Sequence, residues 1–207
     1  SAFFVPNITD FIKVINYHMN DKYLKLLMYY LNPFAGHRFG HRISQFRNLL
    51  SLSGQRLSPN LATMTYWSTT PYAFGNKACK YKLSPTQQNF NYNMPLATKG
   101  FELLRENIEA IINHQEIQFD FQIQLQQDAT QQPIEIASVV WNEQQAPPKT
   151  VARLRIPSQN QKEDFFDLVN RLSFNPWATT EEHRPMGSIN RARKKIYDLS
   201  FKNRAEQ

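Results

Sequence analysis

The chain has 207 residues, enough for one sizeable domain that buries a real core. Apolar residues make up 41% and charged residues 20%, as in a globular protein, and no run approaches the ~18 apolar residues of a membrane-crossing helix. The net charge of +7 permits attraction to nucleic acid, anionic lipid or an anionic cofactor without choosing among them, and a single cysteine excludes an internal disulfide framework.

Ser1-Ala2-Phe3-Phe4-Val5-Pro6 opens on apolar residues, with no initiator Met and no signal pattern, and we read the chain as a piece of something longer. Asn7-Ile8-Thr9-Asp10 has the form of an N-cap with an acid at the fourth position. It predicts a helix through about His18, with Phe11, Ile12 and Ile15 as its apolar side. Asn20 or Asp21 should cap a second helix carrying Tyr23, Leu24, Leu27, Met28 and Leu31 at helical spacing, ended by Pro33. Ile43 to Leu52 is expected as a third. His37 and His41 have the spacing of a helical metal pair, but beside Gly36 and Gly40, with no third ligand near, they read as loop histidines.

From Leu57 the period changes. Leu61 to Thr69 is rich in Thr, Tyr and Trp and alternates like a strand; Lys77 to Leu83 reads as the next, with Cys79, Tyr81 and Leu83 on one face. Cys79 reads there as a small core residue rather than a nucleophile. Asn89 to Pro95 is a polar loop, and Phe101, Leu104, Ile108, Ile111 and Ile112 make an amphipathic helix from about Ala97 to Asn113. Glu116 to Gln126 is the clearest strand: Ile117, Phe119, Phe121, Ile123 and Leu125 point one way, Gln118, Asp120, Gln122 and Gln124 the other. A turn over 126–132, a polar connection over 142–149, a short strand from Val151 to Ile156 and a helix from Gln161 to Asn170 follow.

The last stretch carries the chemistry. Pro185 suits a first helical turn, and after Gly187 nothing breaks a helix. On it Arg193 and Tyr197 are four apart and share a face; Arg204 lies two turns beyond Tyr197 and about 20° round the axis. A cation within a few ångströms lowers the pKa of an acid by about 1–3 units, so this row favours a phenolate, a hard anionic ligand suited to ferric iron. The second arginine could pair with a carboxylate of the same cofactor. Without further context the row is also what an exposed basic helix with a half-buried tyrosine looks like.

Arg193-x-x-x-Tyr197 followed by Arg204 resembles the proximal helix of the catalase superfamily, whose haem is held by a tyrosine backed by an arginine. A second stretch, Tyr66-x-Ser68-x-x-Pro71-Tyr72-x-Phe74-Gly75 leading to Lys80-Tyr81, is similar to a hairpin of the smaller catalase-like haem proteins. The Phe174-x-Pro176 step ahead of the Tyr-bearing helix has the same order. The resemblance implies an α+β fold: an antiparallel β-barrel of the catalase type, of which residues 1–207 form a single domain holding the C-terminal half, about four strands, with flanking helices. It implies haem b as cofactor, Tyr197 as its axial metal ligand, Arg193 as the group keeping that ligand ionised, and Arg204 as a propionate partner. Phe3, Phe4 and Phe11 resemble distal-side aromatics; the distal histidine and asparagine would lie ahead of Ser1. His183-Arg184-Pro185-Met186-Gly187 looks more like the small relatives, allene oxide synthases among them, so the implied substrate is hydrogen peroxide or a lipid hydroperoxide.

Two other classes compete: a module whose Lys/Arg-rich helix contacts nucleic acid, and a haem-binding remnant without turnover. No aromatic-plus-basic motif of a known nucleic-acid reader accompanies the helix. A half-barrel would also expose strand edges, so we expect self-association or a second chain that completes the sheet.

Overall fold

Asn7 closes the start of α1 (Ile8–Met19): its side chain accepts from the Asp10 backbone N–H at 3.0 Å, as the sequence pattern requires. In this computed structural model the described residues are 3, 5–20, 22–32, 42–43, 46, 60–93, 95–98, 100, 102–160, 168–169 and 171–205. Asn20 does not start α2 (Tyr23–Leu31) but ends α1, donating from Nδ2 to the Asn16 carbonyl at 2.8 Å; Lys22 precedes α2 without a side-chain cap. The buried side of α2 also differs from expectation. Leu24, Leu27, Met28 and Leu31 are exposed, while Tyr30 is buried with Val5 and Val14, and Phe3, Phe11, Leu26 and Tyr29 pack against them. The α2 sequence is apolar almost all round, so its spacing cannot select the face that faces inward. His37, His41, Pro33 and Phe4 lie outside the described residues, as do most of 43–52 and 161–170.

The centre of the molecule is an antiparallel sheet of β1 (Tyr66–Trp67), β2 (Tyr72–Phe74), β3 (Lys77–Pro85), β4 (Ile117–Leu125) and β5 (Lys149–Ile156), in the order β1-β3-β4-β5 with β2 also paired to β3. The described strands form an open sheet. The predicted strand over Leu61–Thr69 shrinks to Tyr66–Trp67, because Asn60 accepts from the Ala62 N–H at 3.0 Å and winds Leu61–Thr63 into a 3-10 turn. On β4 Ile117, Phe119 and Ile123 are buried as the alternation predicts, and α3 (Leu103–His114) covers the first two with Ile108, Ile111 and Ile112. That helix starts later than Ala97 because Asn107 reaches back and bonds both the N–H and the carbonyl of Ala97, at 2.8 and 2.9 Å, holding that segment outside it. Asn89, fully buried, staples the 3-10 turn Gln87–Asn91 to the sheet by donating to the Ala62 and Gln118 carbonyls and accepting from Gln118 N–H.

The opposite face is less polar in environment than in sequence. The loop over 126–148 folds over it and buries Gln124, whose Nε2 donates to the Trp141 and Ala146 carbonyls at 3.0 Å each. Beside it Lys80 is also buried, with Nζ 5.0 Å from the Trp141 ring centroid and 3.4 Å from the Val139 carbonyl. Cys79, on the other face, is fully buried and free; burial pushes its thiol up to about 11, so it is an inert core residue.

Candidate functional site

The site forms where α4 (Ser188–Ala205) docks on the β2–β3 hairpin. The residues before the helix fix that docking. Pro185 is not in the first turn; it pairs as an isolated bridge with Tyr72, the Ala73 N–H donates to the Arg184 carbonyl at 2.8 Å, and the Gly75 N–H donates to the Glu182 carbonyl at 3.0 Å. The 3-10 turn Glu181–His183 and the bridge residue Pro185 thus hold the segment over 182–186 along β2. At Gly187 the chain turns with φ +86° and enters the helix, its Cα packed against the Ile134 carbonyl.

On the hairpin side Thr69 has φ +57°, uncommon for a β-branched residue, and the turn it makes presents Thr70 and Pro71 to the helix. Both meet Asn190, which is fully buried: its Nδ2 donates to the Pro71 and Met186 carbonyls at 2.9 Å each, and Thr70 Oγ1 lies 3.0 Å from its Oδ1. The Asn190 carbonyl accepts from Trp177 Nε1 at 2.7 Å, so the Phe174–Trp177 step is anchored to the same residue.

One turn on, Arg193 fills the seam. Its Nη2 donates to the Tyr197 phenol oxygen at 3.1 Å, and its Nη1 to Asn190 Oδ1 at 3.1 Å and the Tyr72 phenol oxygen at 3.3 Å. The guanidinium carbon stands 5.1 Å from the Tyr197 ring centroid. Burial opposes the charge on Arg193, but the hydrogen bonds and the two phenol oxygens outweigh it and raise its pKa above the ordinary arginine value. Among the described residues no carboxylate pairs with it. From Tyr72 an aromatic row continues across the sheet, with ring centroids 4.9 Å apart to Tyr81 and 5.4 Å from there to Phe121.

The residues singled out in the sequence separate into three places. Arg193 and Tyr197 are brought together. Arg204, on the same half-buried stripe, donates to the Leu172 carbonyl at 3.1 Å and lies 5.8 Å from the Phe174 ring, while its buried Nε has no partner among the described residues. Phe3 and Phe11 pack on each other at 5.7 Å in the helical cluster near the N-terminus. Sequence reasoning missed Tyr72, Thr70 and Asn190 as site members, although Thr70 and Tyr72 stood inside the quoted hairpin motif. Two other cations of α4 are drawn into local contacts: Arg191 makes a two-pronged ion pair with Glu135 at 2.8 and 3.0 Å, and Lys194 lies over Trp177 at 5.0 Å.

No protein-family model and no curated protein matches the chain. Among solved structures it is similar to a fungal catalase, at 16% identity and a TM-score of 0.57, over 70% of this chain and 32% of that one. It is also similar to catalase A from Saccharomyces cerevisiae, at 18% identity and a TM-score of 0.58, over 82% of this chain and 37% of that one. The chain spans about a third of the length of these catalases, and at such identities the likeness is one of fold. Its mixed helix and antiparallel-sheet architecture is catalase-like.

Proposed function

We propose that this chain supplies the proximal side of a haem site, with Tyr197 as the iron ligand, in a protein that acts on hydrogen peroxide or an organic hydroperoxide. One observation carries the reading: the half-buried Arg193 guanidinium is surrounded by three uncharged oxygen acceptors and no carboxylate among the described residues. A cation held this way lacks a counter-ion, and a phenolate at Tyr197 supplies one. Among the described residues no three His, Cys, Asp or Glu side chains converge as a metal cluster, so a metal held by Tyr197 fits best as part of a cofactor that brings its remaining ligands.

The residues present fit haem in two further respects. The phenol oxygen accepts one hydrogen bond from Arg193 and keeps a lone pair for a Lewis acid. Arg204, whose buried Nε has no partner among the described residues, offers a cation to a propionate on the same helix stripe. Bound haem would supply the iron at which a peroxide O–O bond is broken. The chain's own part is to hold the ligand ionised through Arg193, to fix the helix on the hairpin through Asn190, and to wall the sheet side with Tyr72, Tyr81 and Phe121. Phe3, Phe4 and Phe11 are proposed for the distal side, and the sheet for part of a barrel completed by a second copy or another chain.

A nucleic-acid module is the weaker reading, since Arg191, Arg193, Lys194 and Arg204 are all drawn into intramolecular contacts rather than presented as an open basic stripe. Titration of the purified chain with ferric haemin, alongside a Tyr197→Phe variant, separates the two. The haem reading expects a saturable spectrum of a phenolate-bound ferric haem that the variant lacks. A salt-dependent response to oligonucleotide, with no specific haemin uptake, would favour the other.

A further inference from the structure

Asn190 has no part in the arginine–tyrosine pattern, yet it is the most heavily bonded side chain of the site. Its Nδ2 is spent on two backbone carbonyls, one on the hairpin and one in the turn entering α4. Those bonds orient the amide so that Oδ1 faces Thr70 Oγ1 and Arg193 Nη1, at 3.0 and 3.1 Å. We infer that Asn190 is the positioning residue of this site: its neutral amide aims the Arg193 guanidinium at Tyr197 while leaving the positive charge unspent for the phenolate. The inference rests on the haem reading for its purpose and on the hydrogen bonds alone for its geometry.

Two features single out the amide. A guanidinium at a helix–hairpin seam needs an acceptor to stop it rotating, and the usual one is a carboxylate, as Glu135 is for Arg191 on the preceding turn of the same helix. A carboxylate would also neutralise the cation. At Arg193 the holding groups are an amide oxygen and the Tyr72 phenol, so orientation comes without neutralisation. Second, the amide is locked from behind by Pro71 and Met186: turning its NH2 toward Arg193 would give up both of those bonds and set donor against donor at the guanidinium. The Thr69 turn, which delivers Thr70 and Pro71, belongs to the same device.

The test has a haem-free arm and a haemin arm. In the haem-free chain, nitrogen NMR of the Arg193 guanidinium, assigned by its loss in Arg193→Lys, should show slow rotation of the Nη groups. Rotation as fast as that of an exposed arginine would overturn the positioning role. In the haemin arm, Asn190→Asp retains acceptors toward Arg193 but captures its charge. We expect that variant to bind haemin about 10- to 100-fold more weakly, the equivalent of one lost charge-assisted contact, and to lose the phenolate spectrum. Asn190→Ala, which frees the guanidinium without neutralising it, should lose less affinity. If Tyr197→Phe abolishes the spectrum while Asn190→Asp leaves spectrum and affinity unchanged, this inference fails and the haem reading stands. A wild-type chain that takes up no haemin overturns both.

Discussion

At Gly187 the backbone has φ +86°, and a Cβ built there would stand 2.6 Å from the Ile134 carbonyl oxygen. Backbone cannot yield as a flexible side chain would, so Gly187→Ala should destabilise the chain by about 1–3 kcal/mol in urea unfolding. An unchanged midpoint would mean that the turn into α4 relaxes freely. Arg204→Ala is expected to weaken haemin binding by about 1.5–3 kcal/mol if the arginine makes a charge-assisted bond to a propionate. Equal affinities in the two proteins would confine Arg204 to its contacts with Leu172 and Phe174. The pairing of Arg193 with Tyr197 was legible in the sequence because it is local: residues four apart on a helix meet whatever the rest of the chain does. Asn190 was not. Its partners Thr70 and Pro71 lie about 120 residues earlier and are brought to it by the backbone bonds of Glu182 and Arg184 to the hairpin, and no periodicity within α4 encodes that.

The elements divide in the same way. Helix α1 was readable from its Asn cap, and β4 from strict alternation, since both signals are local and physical. The inward face of α2 was not, because an almost wholly apolar helix gives its spacing nothing to contrast. Nor was the burial of the polar side of β3 and β4, which depends on the loop over 126–148 folding back. Lys80 makes that burial measurable. Burial lowers it to about 8 from an ordinary lysine value of 10.5. Between those values the unfolded chain holds the proton and the folded chain releases it, so this group's contribution to stability rises with pH across the window. Below pH 8 both states are charged and the folded state bears the full cost. Relative to Lys80→Met, the native chain should therefore gain on the order of 3 kcal/mol between pH 8 and 10.5. Unfolding free energies that run parallel in the two proteins would show that Lys80 is solvated.

For the molecule as a whole, the sheet ends at β5, an edge strand with no further partner among the described residues. Val151 and Leu154 on it are 52% and 41% exposed, although the Arg153–Asp120 and Arg155–Glu116 pairs add charge along it. Of the five apolar side chains on that face of β4, Ile117, Phe119 and Ile123 are buried, the first two under α3, and Phe121 and Leu125 are half-buried. The exposed edge still favours association. Light scattering should detect a dimer or larger species, and Val151→Lys with Leu154→Lys should shift it toward monomer. A monomer silent to hydrophobic dye before any substitution would contradict the proposed completion of the sheet by another chain.

The most direct measurement is the ultraviolet–visible titration of the purified chain with ferric haemin, run side by side with Tyr197→Phe. We expect saturable binding with a phenolate-to-iron charge-transfer feature in the native chain, and its loss in the variant. An identical spectrum in both proteins would contradict ligation by Tyr197, however tightly haemin bound.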